Sequence, residues 1–263
     1  MELYLHGIGL CAEGLPNWAE GREVLAGASP YRAAEIAMAA SPLLPPAERR
    51  RATDTVKLAM TVAGEAVAHA GLRAEDTMAV FTSSGGDGKT ITAILEALAS
   101  NEREVSPTRF HNSVHNAPAG YWSIATGCRE PSTSICAHDF SFAAGLLEAA
   151  TRALAEQCAV LLVAYDVPYP PALAACRMIA APFGAALAIS PERSASTLAA
   201  LSIELRQGPV ADTVLDESAL ESLRTGVPAA RALPLLSAVA RGESREIVIP
   251  YVAGNGVAVR VTP

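Results

Sequence analysis

Pro131-Ser132-Thr133-Ser134-Ile135-Cys136-Ala137-His138-Asp139-Phe140-Ser141, running into an apolar stretch that ends at Gln157, decides the fold. Residues 132–137 have the short, β-branched pattern of a strand. Residues 141–157 have the length and small-residue face of a helix, and only three residues separate the two. The same unit precedes it. Residues 77–82 predict a buried strand, the loop Ser83-Ser84-Gly85-Gly86-Asp87-Gly88 follows, and a helix runs over about 90–100. Residues 159–165 form an unbroken apolar run, the signature of a strand buried on both faces.

Working outward, residues 3–10 read as a first strand entering a turn at Gly7 and Gly9. Pro45-Pro46 ahead and Gly71 behind bracket a helix over about 47–70. Residues 106–118, rich in His and Asn, read as a loop, with a helix over about 119–126. Further strands are expected at 185–190 and 198–205, and helical pieces at 217–224 and 232–241. A closing hairpin is expected from 246–251 and 256–261 around Ala253-Gly254-Asn255. Strands separated by helices predict an α/β fold with helices on both faces of a mixed, largely parallel sheet.

Composition narrows the function classes. With 51% hydrophobic and 18% charged residues, the chain is a folded domain and not a disordered segment. Its net charge of -7 argues against non-specific nucleic-acid binding, and the one basic cluster, Arg49-Arg50-Arg51, reads as a solvated helix start. Met1-Glu2-Leu3-Tyr4-Leu5-His6 lacks the basic and apolar regions of a signal peptide, and no apolar stretch reaches the roughly 20 residues needed to span a bilayer. The five cysteines (Cys11, Cys128, Cys136, Cys158, Cys176) form no CxxC pair. Reduced thiols in a cytoplasmic protein are expected, with no metal and no cofactor.

One local motif points elsewhere. Gly88-Lys89-Thr90 after a strand and opening a helix approaches a phosphate-binding loop, with Asp166 as an acidic partner, but Ser83 stands where the first glycine is required. Nucleotide binding through Gly85–Thr90 stays open beside a glycine-rich structural turn.

A longer pattern covers about 190 residues. Leu5-His6-Gly7-Ile8-Gly9, Trp18 and Leu25-Ala26-Gly27-Ala28-Ser29 come first, then Ala66-Val67-Ala68-His69-Ala70-Gly71-Leu72 and the glycine loop. Asn116-Ala117-Pro118-Ala119-Gly120, Gly127, Pro131 and Ser132-Thr133-Ser134-Ile135 follow, and Ala253-Gly254-Asn255-Gly256-Val257-Ala258-Val259 closes the chain. In this order the segments resemble the β-ketoacyl synthase family. The resemblance implies a thiolase-like layered fold in a single domain, 1–263. Residues 1–190 would be similar to the family's N-terminal part, and 191–263 a reduced, truncated second half with closing strands.

In that family the nucleophile is a cysteine on a sharp turn, its pKa lowered by a helix N-terminus that also supplies the oxyanion hole. Eight residues on from Pro131, this chain has Asp139. A carboxylate cannot take an acyl group from a thioester as a thiolate does, because the mixed anhydride is far less stable. The resemblance also implies catalytic His and Lys in the second half, yet the last histidine is His138 and the only lysines are Lys57 and Lys89.

Candidate site residues are therefore Cys136, His138, Asp139 and His115. Cys136 could be a shifted nucleophile or an inert thiol. Asp139 could be a helix N-cap. His111 and His115 could join His138, Asp139 and Ser141 or Ser113 in a hydrolytic site, or be loop histidines satisfied by backbone. An acyltransferase or thioester hydrolase using Cys136 or the His/Asp cluster thus stands beside the resemblance's implication, a chain-length-factor-like partner in fatty-acid or polyketide-type assembly of the kind found in aryl-polyene pathways. The implied partners are a full-length ketosynthase in a heterodimer, or a second copy in a homodimer, and an acyl carrier protein, with residues 132–137 as the dimer edge. Neither nucleic acid nor membrane is expected as a partner.

Overall fold

Strand β1 (Glu2–Ala12) runs straight through both of its glycines. Its large side chains Leu3, Leu5, Ile8 and Leu10 all enter one core, although the first pair is odd-numbered and the second even-numbered. A register shift between Leu5 and Gly7 reconciles them: a bulge at His6 inserts one residue and flips the alternation. His6 is pinned there, with Nε2 2.8 Å from Ser190 Oγ and Nδ1 3.1 Å from Ser194 Oγ.

The opposite face of β1 is bare backbone at Gly7 and Gly9, and a helix lies directly on it. The chain passes through α1 (Trp18–Leu25) and α2 (Pro46–Arg51) to α3 (Asp54–Ala70). A Cβ on Gly7 would collide with Ala66 O and stand 2.7 Å from Ala70 N, and one on Gly9 would meet Val62 O and stand 2.8 Å from its carbonyl carbon. Proximity brings α3 side chains into the sheet's hydrogen bonding. Ile8 N–H donates to His69 Nδ1 (3.1 Å) and Leu10 N–H to Glu65 Oε2 (2.8 Å), while Glu65 Oε1 takes Trp18 N–H (2.6 Å). Burial pushes the Glu65 carboxyl above its usual range, opposed by those two backbone bonds.

The computed structural model describes residues 1–263. After α3 come β2 (Met78–Thr82), α4 (Gly88–Ala99), α5 (Pro107–Asn112), α6 (Ala117–Thr126), β3 (Ser132–Ile135), α7 (Ser141–Glu156) and β4 (Val160–Asp166). Then follow α8 (Pro171–Ala174), β5 (Phe183–Ser190), β6 (Ala199–Arg206), α9 (Ser218–Gly226), α10 (Leu233–Arg241), β7 (Arg245–Pro250) and β8 (Gly256–Thr262). No helix is long and apolar enough to cross a membrane.

The strands form one sheet in the order β3-β2-β4-β5-β1-β6-β8-β7. β4 is buried throughout: Val160, Leu162 and Ala164 enter the core beneath α7, and Leu161, Val163 and Tyr165 the core beneath α3. The fold is the α/β layered architecture expected, with helices on both faces. The expectation of a largely parallel sheet is corrected: only β2–β3 and β2–β4 are parallel, and the five other pairs are antiparallel. Only β7 and β8 are joined by a connection too short for a parallel crossover; the other antiparallel pairs are joined by longer stretches of chain.

Local differences have equally local causes. The single helix expected over 47–70 is two, because Ala52 is extended and Thr53 caps α3, accepting Val56 N–H. The expected loop 106–118 contains α5, whose start Pro107 pre-organises. The closing hairpin pairs as expected, Arg245 opposite Val261 through Pro250 opposite Gly256.

Gly9→Ala is expected to destabilise the chain by roughly 1–3 kcal/mol, because the added methyl meets backbone that cannot rotate away. Urea unfolding checks this, and an unchanged midpoint would contradict the contact between β1 and α3.

Candidate functional site

The connection between β3 and α7 is built from backbone turns and one serine. Ala137 N–H donates to Ser141 Oγ (3.0 Å), which donates to His138 O (2.7 Å), with Ser83 O 3.3 Å away. The residue that makes the sharp turn is His138, held in the left-handed region at φ 53 inside the 3₁₀ turn His138–Phe140. Such a conformation costs a non-glycine residue on the order of 1 kcal/mol and persists only where its surroundings impose it. Asp139, where counting along the sequence placed the nucleophile position, is the next residue of the same turn.

His138 and Asp139 are both exposed, with side chains 66% and 52% accessible, and both are paired with an arginine. Arg177, from the segment after α8, reaches over both: its Nη1 contacts His138 Nε2, and its Nη2 donates to Asp139 Oδ1 (2.7 Å). Asp139 Oδ2 lies 3.3 Å from His138 Nδ1. Asp139 therefore does not cap α7, which has no side-chain cap. A second arginine, Arg231 of the 3₁₀ turn Pro228–Ala232, sits among Asp212, Arg224 and Asp139, and its burial lowers its pKa. Charge pairs brace the turn from its exposed side.

The other candidates are dispersed around the glycine loop. Cys136 is exposed, and its Sγ contacts Ser84 O at 3.2 Å. His115 Nε2 lies 3.3 Å from Ser83 O, so it covers the loop and bonds neither His138 nor Asp139. His111 packs edge-on to Tyr121, with ring centroids 6.1 Å apart. Ser113 Oγ donates to Phe110 O, and Ser141 is buried with its hydroxyl committed to the turn. No three His, Cys, Asp or Glu side chains converge to hold a metal.

Asp166, the acidic partner of the near-miss phosphate loop, has another task. Asp166 ends β4, 3% exposed, and its Oδ1 accepts Ser84 N–H (2.9 Å), Ser84 Oγ–H (2.7 Å) and Ser83 Oγ–H (3.2 Å). Its Oδ2 accepts Ala229 N–H (2.9 Å), which ties the turn carrying Arg231 to the sheet. Burial raises its pKa and the four bonds oppose that shift. Lys89 is spent on Asp54 (2.7 Å), and the Tyr169 side chain lies against Gly85 and Gly88, where a phosphate would need to approach. The glycines of this loop make room for a tyrosine, and the loop lacks a phosphate cradle.

Asp166→Asn replaces an acceptor with an amide donor facing a buried N–H. A loss on the order of 3 kcal/mol is expected in chemical unfolding, and an unchanged midpoint would contradict the anchoring role. Millimolar ATP is expected to leave the thermal midpoint where it is, and a rise that Lys89→Ala abolishes would restore the nucleotide reading.

With this geometry in hand, comparison with known proteins places the fold. One chain of the ketosynthase ApeO in complex with its chain length factor ApeC, from Xenorhabdus doucetiae, superposes with a TM-score of 0.72 at 21% identity, covering 100% of both chains. A chain of the type II polyketide synthase complex AntDE:AntF, an acyl-carrier protein with its ketosynthase bound to a hexaketide, gives 0.76 at 12% identity over 99% of both. The ishigamide ketosynthase/chain length factor gives 0.72 at 13%, again over 99% of both. At these identities the likeness carries the fold alone. No curated protein matches the chain by sequence. The model of the β-ketoacyl synthase N-terminal domain, however, matches residues 18–244, and the chain belongs to that family.

Proposed function

We propose that this chain is a chain-length-factor-like subunit: it pairs with an active ketosynthase in fatty-acid or polyketide-type assembly, aryl-polyene synthesis among the candidates, and carries out no condensation itself. The observation that carries the reading is the turn at His138. A histidine stands at the left-handed position, and Arg177 ties it to Asp139 where a ketosynthase needs a free thiolate. No lysine lies beyond Lys89 and no histidine beyond His138 to assist a decarboxylation.

The surface beside that turn supports a partner. β3 is one of the two terminal strands of the sheet, with β7 at the other end, so one of its edges has no strand partner. Unprotected edges are rare in proteins that remain alone. α6 packs beside β3, and on that side of the sheet α4, α5, α6 and the turn between the last two expose Leu95, Leu98, Phe110 (68% exposed), Val114 and Ile124, and a groove of about 380 Å³ opens between Phe110, Val114 and Ile124. Apolar side chains clustered beside a free edge fit a large subunit interface. The ApeO–ApeC and ishigamide structures are assemblies of a ketosynthase with a chain length factor, which favours a ketosynthase as the occupant, with an acyl carrier protein visiting the assembled pair.

Copurification with ketosynthases encoded in the same genome tests the proposal. A one-to-one complex is expected with one of them, weakened about 30-fold or more by Phe110→Glu. That variant should keep its own stability, because the side chain is exposed. A chain that only self-associates and binds no ketosynthase would overturn the reading. Incubation with an acyl carrier thioester is expected to leave the mass unchanged, and an adduct lost in Cys136→Ala would instead establish an acyl-transfer enzyme.

A further inference from the structure

Beside the glycine loop, three elements meet around a small, partly open pocket of about 10 Å³. Its wall includes Thr55 from the first turn of α3, Asp87 at the N-cap of α4 and Tyr165 from the end of β4, with His115 on one side. Three polar atoms in that wall, Thr55 Oγ1, Asp87 Oδ2 and the Tyr165 hydroxyl, are buried and have no hydrogen-bond partner in the protein. Thr55 is 3% exposed and Tyr165 0%. Buried polar atoms are paired in nearly all cases; three others in this chain, Thr92 Oγ1, Trp122 Nε1 and Arg177 Nε, are also unpaired, but none of their residues lines this pocket. Three facing a single space identify it as a binding site with room for one small occupant.

We propose that this cavity binds one water molecule, which donates to Asp87 Oδ2 and Thr55 Oγ1 and accepts from the Tyr165 hydroxyl. The wall chemistry selects water over an ion. The Asp87 carboxylate repels an anion. A bare cation prefers about six oxygen ligands, and it would leave the Tyr165 proton with no acceptor. Water supplies two donors and an acceptor in the volume available. The Tyr165 phenol is a permanent donor, since burial raises its pKa far above the ordinary range.

The position gives the water a task. Asp87 Oδ1 already accepts Thr90 N–H, so the remaining oxygen is the one that faces the cavity. A water bound there joins α3, the loop and β4 behind Ser83 and Ser84. The carbonyls of those two serines hold His115, Ser141 and Cys136. The bridge fixes the glycine loop from the rear as Asp166 fixes it from the sheet.

A crystal structure of the unmodified chain at about 1.5 Å tests this directly. One peak of water height is expected within hydrogen-bond distance of all three atoms, with no anomalous signal in crystals grown in rubidium or bromide salts. Absence of the peak, or an anomalous signal in either salt, would overturn the proposal. Coupling provides a second readout. Thr55→Val should lower the urea midpoint less in a Tyr165→Phe background than in the unmodified chain, because both act through the same molecule. Strictly additive effects would refute a shared bridge.

Discussion

Everything in this molecule is referenced to the approach of α3 onto bare backbone at Gly7 and Gly9. The missing side chains let a helix sit close enough for Glu65 and His69 to bond the sheet's own N–H groups, past the point where β6 stops pairing with β1 at Leu5. That contact fixes the height of α3 over the sheet, and with it the position of Thr53 and Thr55 at the helix start. The glycine loop after β2 packs against that start, and Lys89 reaches from α4 to Asp54. A displacement at Gly9 would be transmitted along a rigid helix of 17 residues to the other end of the sheet.

A second constraint acts where β2 and β4 end. One buried carboxylate, Asp166, gathers the glycine loop and the 3₁₀ turn at Pro228–Ala232 onto a single side chain. Burying an unpaired carboxylate would be prohibitive, and four donors make it tolerable. The same donors give three separated pieces of chain one fixed arrangement. Arg231 and the turn at His138 are thereby held in register with β3. The charge pairs that close the turn thus rest on a scaffold built for positioning, although no thiolate is positioned there.

The layered α/β fold was legible because its signals are local and repeated: an apolar run for β4, capping residues for α3, a hairpin around Gly254. Strand direction was less legible, since antiparallel pairs such as β4–β5 and β5–β1 depend on how long connections travel, which periodicity does not encode. The bulge at His6 was hidden for another reason. Its pattern, large side chains at 3, 5, 8 and 10 with glycines between, looks like a strand that breaks, and only the partner strand reveals the inserted residue. Of the candidate site, the absence of His after His138 and of Lys after Lys89 is legible in the sequence itself. The place of Arg177 is not, because nothing in Ala175-Cys176-Arg177-Met178 distinguishes a surface arginine from one folded over a turn 38 residues earlier. Asp166 was noticed for its place at a strand end, and the Ser83-Ser84 pair that claims it was the available signal for a structural role.

The turn at His138 joins these strands of argument. A left-handed residue between strand and helix is expensive to maintain, and a protein with no use for it could relax it with a glycine or a longer loop. Here it is kept, stabilised by Ser141 within the turn and by Arg177 and Asp139 outside it. Retention has a physical explanation in the fold: the turn determines where β3 ends and at what angle α7 leaves the sheet, and β3 is the free edge beside the exposed apolar helices. Losing the turn would move that edge. The conformation at His138 thus fixes where β3 ends and where α7 begins.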